Sequence, residues 1–201
     1  MSDIKQQFHE FVAMIPDIHA ANKANGFWDW VDVVDEEKTE EEELAKINLI
    51  TSEVSEMLEG VRKNLMDNKL PHRTAEEVEL ADVLVRTLDF AGYMGCDYAI
   101  HHNLSADINY FARKAKEAMK SRQHSLLYLA TKAVVLGKIV VTSKYRSLRV
   151  SNTLDLIIAC LVYADKYKLD LMGAVKEKLA FNRVREDHKP ENRAKDGGKK
   201  F

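Results

Sequence analysis

Apolar residues return at intervals of three and four along most of the chain, the spacing of one buried helix face. Ile4, Phe8, Phe11, Val12 and Ile15 form a first stripe, which Pro16 interrupts. A longer run over residues 40–64 carries Ile47, Ile50, Val54, Met57, Leu58 and Val61, continued by Leu65. A turn follows at 67–72, and Thr74 with Glu77 has capping-box spacing for the next helix. That helix has Val78, Leu84, Val85, Leu88 and Ala91 to bury and ends near Gly92 or Gly95. Further helical runs occupy 110–120, 126–145 and 152–168, and a last one carries Lys178 and Asn182. The pattern predicts an all-α helical bundle.

Two helices of this pattern carry paired carboxylates. Glu53 and Glu56 stand three apart beside the long stripe, and Glu79 and Asp82 repeat that spacing on the next helix, sharing a face with Arg86. Packed antiparallel, the two helices bring four carboxylates together. Such a group repels and desolvates itself unless a cation sits within it. Oxygen donors alone favour a hard divalent ion, Mg²⁺ first and Mn²⁺ next. Either half by itself reads equally as an amphipathic helix with a solvated acidic face.

Near the C-terminal end Lys178, Asn182 and Arg185 fall at i, i+4 and i+7, on one helix face. Arg offers a forked contact to phosphate oxygens, Lys a point charge and Asn a neutral hydrogen bond. A basic helix end favoured by the helix dipole would contain the same types. Upstream, His19, Asn22 and Trp28 combine rings and polar edges suited to a nucleobase, whereas Phe27 reads as core.

Composition narrows the classes. The 201 residues, 46% hydrophobic with three prolines, suffice for one sizeable core or two small halves sharing one. A net charge of -2 predicts no bulk attraction to nucleic acid or an anionic membrane, so neither is expected as a partner. Cys96 and Cys160 form no close pair, which argues against a zinc site or disulfide framework. No apolar run is read as membrane-spanning, and Asp3, Lys5 and Glu10 break any secretory pattern, so a cytoplasmic protein is expected. The acidic run 35–43, with Thr39 and Glu42 at capping-box spacing, reads as a solvated loop and helix start.

Glu-x-x-Glu, a linker and Glu-x-x-Asp resemble the signature of the all-α nucleoside triphosphate pyrophosphohydrolases, the MazG-like and dimeric dUTPase-like superfamily. Gly26-Phe27-Trp28-Asp29 looks like an element upstream of that family's metal helix, and Lys178, Asn182 and Arg185 look like its phosphate contacts. His188, Lys189, Arg193 and residues 197–201 are similar to its terminal tail. Ser52 departs from the motif, which usually has a Glu there. The resemblance implies Mg²⁺-dependent hydrolysis of a nucleoside triphosphate to monophosphate and pyrophosphate. Glu53, Glu56, Glu79 and Asp82 would hold metal, with Glu53 or Glu56 also the general base. Lys178, Asn182, Arg185 and Arg86 would contact phosphate, although Arg86 reads better as a salt bridge orienting Asp82. His19, Asn22 and Trp28 would hold the base.

The chain is longer than compact members of that family. A shift of 73 sets Asp155 on Asp82, Leu161 on Leu88 and Ala164 on Ala91, with Asp170 on Asp97, so a degenerate internal duplication is expected. The chain then divides into a base-pocket segment (1–38), a metal-binding helix pair (39–100), a degenerate half (101–172) and a phosphate-contacting helix with tail (173–201), as one all-α domain. It would act as an internally duplicated monomer or a homodimer. Two other classes compete. One is an inactive regulatory or adaptor module on the same scaffold. The other is a di-iron bundle, which calls for Glu-x-x-His pairs that neither carboxylate helix has; His101 and His102 lie beyond them.

Overall fold

The computed structural model of the chain describes residues 2–29, 36–96, 105–193 and 195. His101, His102, Asp97 and the tail at 197–201 lie outside them. The described residues are all-α, and their one extended pairing is an isolated bridge between Met66 and Thr74. Helix α1 (Ser2–Val12) gives way to α2 (Ile15–Ala24), with Pro16 in its first turn, where a missing N–H breaks no helical hydrogen bond. Then come α3 (Glu36–Lys63), α4 (Ala75–Tyr93), α5 (Ser105–Ala118), α6 (Arg122–Thr142), α7 (Arg146–Tyr167) and α8 (Leu171–Arg183). A 3-10 turn (Glu186–His188) and the short α9 (Pro190–Arg193) end the described fold.

Helix α3 starts earlier than expected and absorbs most of the acidic run, so Thr39 lies within the helix rather than at its N-cap. Thr74 does cap α4, its hydroxyl accepting from Glu77 N. Glu77 does not close the box. Its carboxylate accepts from Asp170 N at 2.6 Å and from Arg73 at 2.8 Å, fastening α4 to the start of α8.

Helices α3, α4, α7 and α6 form a closed ring of neighbours, with α2 laid on α4, α5 on α7 and α8 along α4. The α3/α4 pair is antiparallel, as Glu53–Arg86 and Glu43–Tyr93 contacts require. The α6/α7 pair is antiparallel too, through Ser125–Tyr167 and Val140–Arg149. One buried apolar cluster runs from Ile4 to Val175. Helix α4 is the hub, covered on every side, so the polar face with Glu79 and Asp82 is enclosed as well as the apolar one. Gly60 permits the close approach of α3 to α4: a Cβ there would lie 2.8 Å from Ala75 Cβ. Gly92 does the same for α2, where a Cβ would meet His19 Cβ at 2.5 Å.

Helices α6 and α7 are long and apolar enough, by length and composition alone, to cross a membrane. This corrects the expectation that no run has that length, because a few charges hide within otherwise apolar stretches. In the fold α7 is mostly enclosed by its neighbours.

Candidate functional site

The facing sides of α3 and α4 line a cavity of about 570 Å³. From α3 come Lys46, Leu49, Glu53 and Glu56; from α4 come Glu79, Asp82, Val85, Arg86 and Asp89. Both sets repeat at three- and four-residue steps, so each is a single helix face. Lys178 and Asn182 of α8, with Arg185 and His188 beyond it, complete the wall beside Lys69 of the α3–α4 turn. Asn22 of α2, Phe27 and Trp28 close the far end.

At the carboxylate end, one oxygen each from Glu53, Glu56 and Glu79 lies within 4.8 Å of the others. Glu53, Glu79 and Asp82 are nearly buried, while Glu56 is exposed and has no hydrogen bond or ion pair among the described residues. Burial, then a hydrogen bond with Glu53 and the charge of Asp82, push the Glu79 carboxyl up to about 8. Burial raises Asp82 also, against the pull of Lys178. Arg86 donates to Glu53 Oε1 from Nε at 2.7 Å, and its Nη2 lies 2.6 Å from the same oxygen. Lys178 is 1% exposed, and its Nζ lies 2.5 Å from Asp82 Oδ2 without hydrogen-bond geometry. That ammonium and Asn182 Oδ1 are therefore buried without hydrogen-bond partners on the cavity wall. Lys178, an ammonium with three donors, suits an anionic ligand here, while Asn182 Oδ1 calls for a donor.

The other end is aromatic. Trp28 Nε1 donates to Asp89 Oδ1 at 2.9 Å, and His19 Nδ1 meets the same oxygen at 2.9 Å. Tyr93 stacks on Trp28 at 4.8 Å and 17°, and its hydroxyl donates to Glu43 Oε1 at 2.9 Å. Glu43 in turn accepts from Arg149 of α7 at 2.8 Å. Lys46 donates to Phe27 O at 2.7 Å and lies 5.0 Å from the Trp28 ring. Burial lowers its ammonium to about 8.

The fold thus brings Glu53, Glu56, Glu79, Asp82, Arg86, Lys178, Asn182, Arg185, Asn22 and Trp28 to one cavity. Several expected roles change. His19 is not on the wall; it supports Asp89 from behind. The Trp28 indole N–H is engaged by Asp89, leaving its ring as the wall. Arg86 pairs with Glu53 rather than Asp82. Arg185 lies past the end of α8 and pairs with Asp187 at 2.5 Å. Phe27 lines the cavity although it read as core. His188, read as part of the tail, lines the cavity, and Lys46, Asp89 and Lys69 were missed. For two of them a signal existed: Lys46 stands seven before Glu53 and Asp89 seven after Asp82, each continuing a helix face already marked by carboxylates.

No family model, curated protein or solved structure matches the chain.

Proposed function

We propose that the cavity binds a nucleoside triphosphate and hydrolyses it to monophosphate and pyrophosphate with a divalent metal ion, as the resemblance to the all-α pyrophosphohydrolases implies. The observation that carries this reading is the joining, in one cavity, of three gathered glutamates, a buried Lys178 beside Asp82 and an aromatic end wall. The donor set fits a hard ion: every candidate ligand is a carboxylate oxygen, and the group is unfavourable without positive charge. Glu53, Glu56 and Glu79 would hold Mg²⁺ or Mn²⁺, with Asp82 beside them. When bound, the ion supplies neutralisation of phosphate charge and acidification of water.

The chain's own residues supply the rest. Glu56, which has no partner among the described residues, accepts the proton of the attacking water; Glu53 is already engaged by Arg86. The water oxygen bonds to the α- or β-phosphorus and the bridging P–O bond breaks. Either way the products are a monophosphate and pyrophosphate. Lys178 and Arg185 hold the phosphate oxygens as charge shifts onto the leaving group, Asn182 adding a neutral hydrogen bond. Trp28 and Phe27 face the base. The ring of helices, with α2–α3–α4 echoed by α5–α6–α7, supports an internal duplication in which the second half completes the bundle. Pyrophosphate release, measured with Mg²⁺ across common and modified nucleoside triphosphates, tests the reading. Release by none of them leaves the scaffold without this activity.

A further inference from the structure

Lys46 and Asp89 bring a buried ammonium and a buried carboxylate to the aromatic end of the cavity, at 7% and 8% exposure. Each lies two helical turns from the metal-site carboxylates on its own helix, roughly 10 Å along the axis. That is room for a sugar between phosphates and base. Opposite charges at such depth normally close into an ion pair. Among the described residues no ion pair joins these two, although Asp89 acts electrostatically on Lys46. Lys46 spends one of an ammonium's three donors on Phe27 O. Asp89 Oδ1 serves His19 and Trp28, while Oδ2 has only a 3.1 Å contact from the indole. A donor with capacity to spare and an acceptor with capacity to spare therefore face one cavity, framed by the Phe27 and Trp28 rings.

We infer that Lys46 and Asp89 read the edge of the base and select the lactam bases, those with a ring N–H beside a carbonyl, over bases with an amino group beside a bare ring nitrogen. This rests on the nucleotide reading of the same cavity. The carbonyl oxygen, with two lone pairs, accepts from Lys46, and the ring N–H donates to Asp89. Uracil, thymine, guanine and hypoxanthine have that edge. In the same pose adenine and cytosine turn an amino donor towards Lys46 and a bare ring nitrogen towards Asp89, so donor meets donor and acceptor meets acceptor. Among the described residues lining this end Asp89 is the one acidic side chain, so the mismatched pose leaves the ring nitrogen and the amino group without suitable partners from Lys46 and Asp89. Sites built around such edges discriminate strongly, because the wrong partner strands polar groups on both sides.

Calorimetric titration with dUMP, dGMP, dAMP and dCMP tests this without metal or turnover. The wild-type protein should bind dUMP and dGMP at least about tenfold more tightly than dAMP and dCMP. In Lys46→Met that ratio should fall to within about threefold, and Lys46→Arg should restore part of it. Inorganic tripolyphosphate, which has no base, separates the alternatives: a Lys46→Met loss as large for tripolyphosphate as for dUMP would assign Lys46 to phosphate or to the fold and overturn the inference. Tightest binding of dAMP or dCMP by the wild type would overturn it as well. Selective binding of the lactam monophosphates without cleavage of any triphosphate would sink the hydrolase reading and leave this one standing. Cleavage of all triphosphates with no base preference would do the reverse.

Discussion

In the α3/α4 pair Asp82 faces Lys178 of α8 and shares its space with Glu53 and Glu79, whereas in the α6/α7 pair Asp155 faces Lys132. The helices of both pairs run antiparallel and stand side by side in one ring. Their electrostatics differ in the balance of charge around the aspartate. Asp155, like Asp82, has a lysine built into the chain, and burial raises its carboxyl against that lysine's pull. Glu79 is pushed up to about 8 because what surrounds it is burial and more negative charge. Among the described residues four carboxylates there (Glu53, Glu56, Glu79 and Asp82) meet two facing cations of the chain, Arg86 and Lys178, so the cluster gains from an external cation. Asp155 is already matched by Lys132. The two pairs share an antiparallel packing and differ in how many carboxylates crowd the buried aspartate.

The largest way to break this contrast is through turnover. Glu53→Gln or Asp82→Asn should reduce Mg²⁺-dependent pyrophosphate release by about 100-fold or more, and Asp155→Asn by less than about threefold. Comparable losses in both pairs, measured on folded protein, would erase the distinction. Stability should show the opposite bias. Lys132→Met leaves Asp155, whose side chain is 6% exposed, without its counter-charge, and should cost about 2–4 kcal/mol in denaturant unfolding. Adding Asp155→Leu should recover most of that, since replacing both partners of a buried pair with apolar groups is often nearly neutral.

A smaller effect should cross between the halves. Arg149 of α7 holds Glu43, which holds Tyr93, which stacks on Trp28. Arg149→Lys should therefore raise KM for a nucleoside triphosphate about three- to tenfold with little change in kcat, because the base wall loosens while the carboxylate end keeps its contacts. A fall in kcat alone would contradict that route.

The smallest effect is thermal and depends on pH. Folded Glu79, pushed up to about 8, holds a proton that the unfolded chain has released. Stability of the metal-free protein therefore falls as pH rises from about 4.5 to about 8. Mg²⁺ displaces that proton, so the Tm gain on adding Mg²⁺ should be a few degrees larger at about pH 8 than at about pH 6. Glu79→Gln should abolish the difference in a thermal melt.

Much of the candidate site was legible where it followed from spacing within one helix. Glu53 with Glu56, and Glu79 with Asp82, needed only the turn of the helix to share a face. Arg185 shows the limit of that logic. The i+7 spacing from Lys178 suggested one helix face, yet α8 ends at Arg183, and Arg185 reaches the cavity from the segment beyond. His19 and Trp28 looked like base contacts because their side chains carry the right groups. What those groups touch was set by Asp89, which lies 70 and 61 residues away.

The chain's own order of residues determined which segments coil and which side chains share a face, because both depend on local backbone geometry and the burial of an apolar stripe. It also determined that two helices would each present a carboxylate pair. Which faces meet was decided only by packing among segments distant in sequence. Packing placed Arg86 on Glu53, Lys178 beside Asp82 and Lys132 against Asp155. It also enclosed α4 on all sides, which turned an ordinary acidic flank into a desolvated cluster. The physical reason is that charge–charge energy depends on separation and on water excluded, and neither is defined until the helices close on one another.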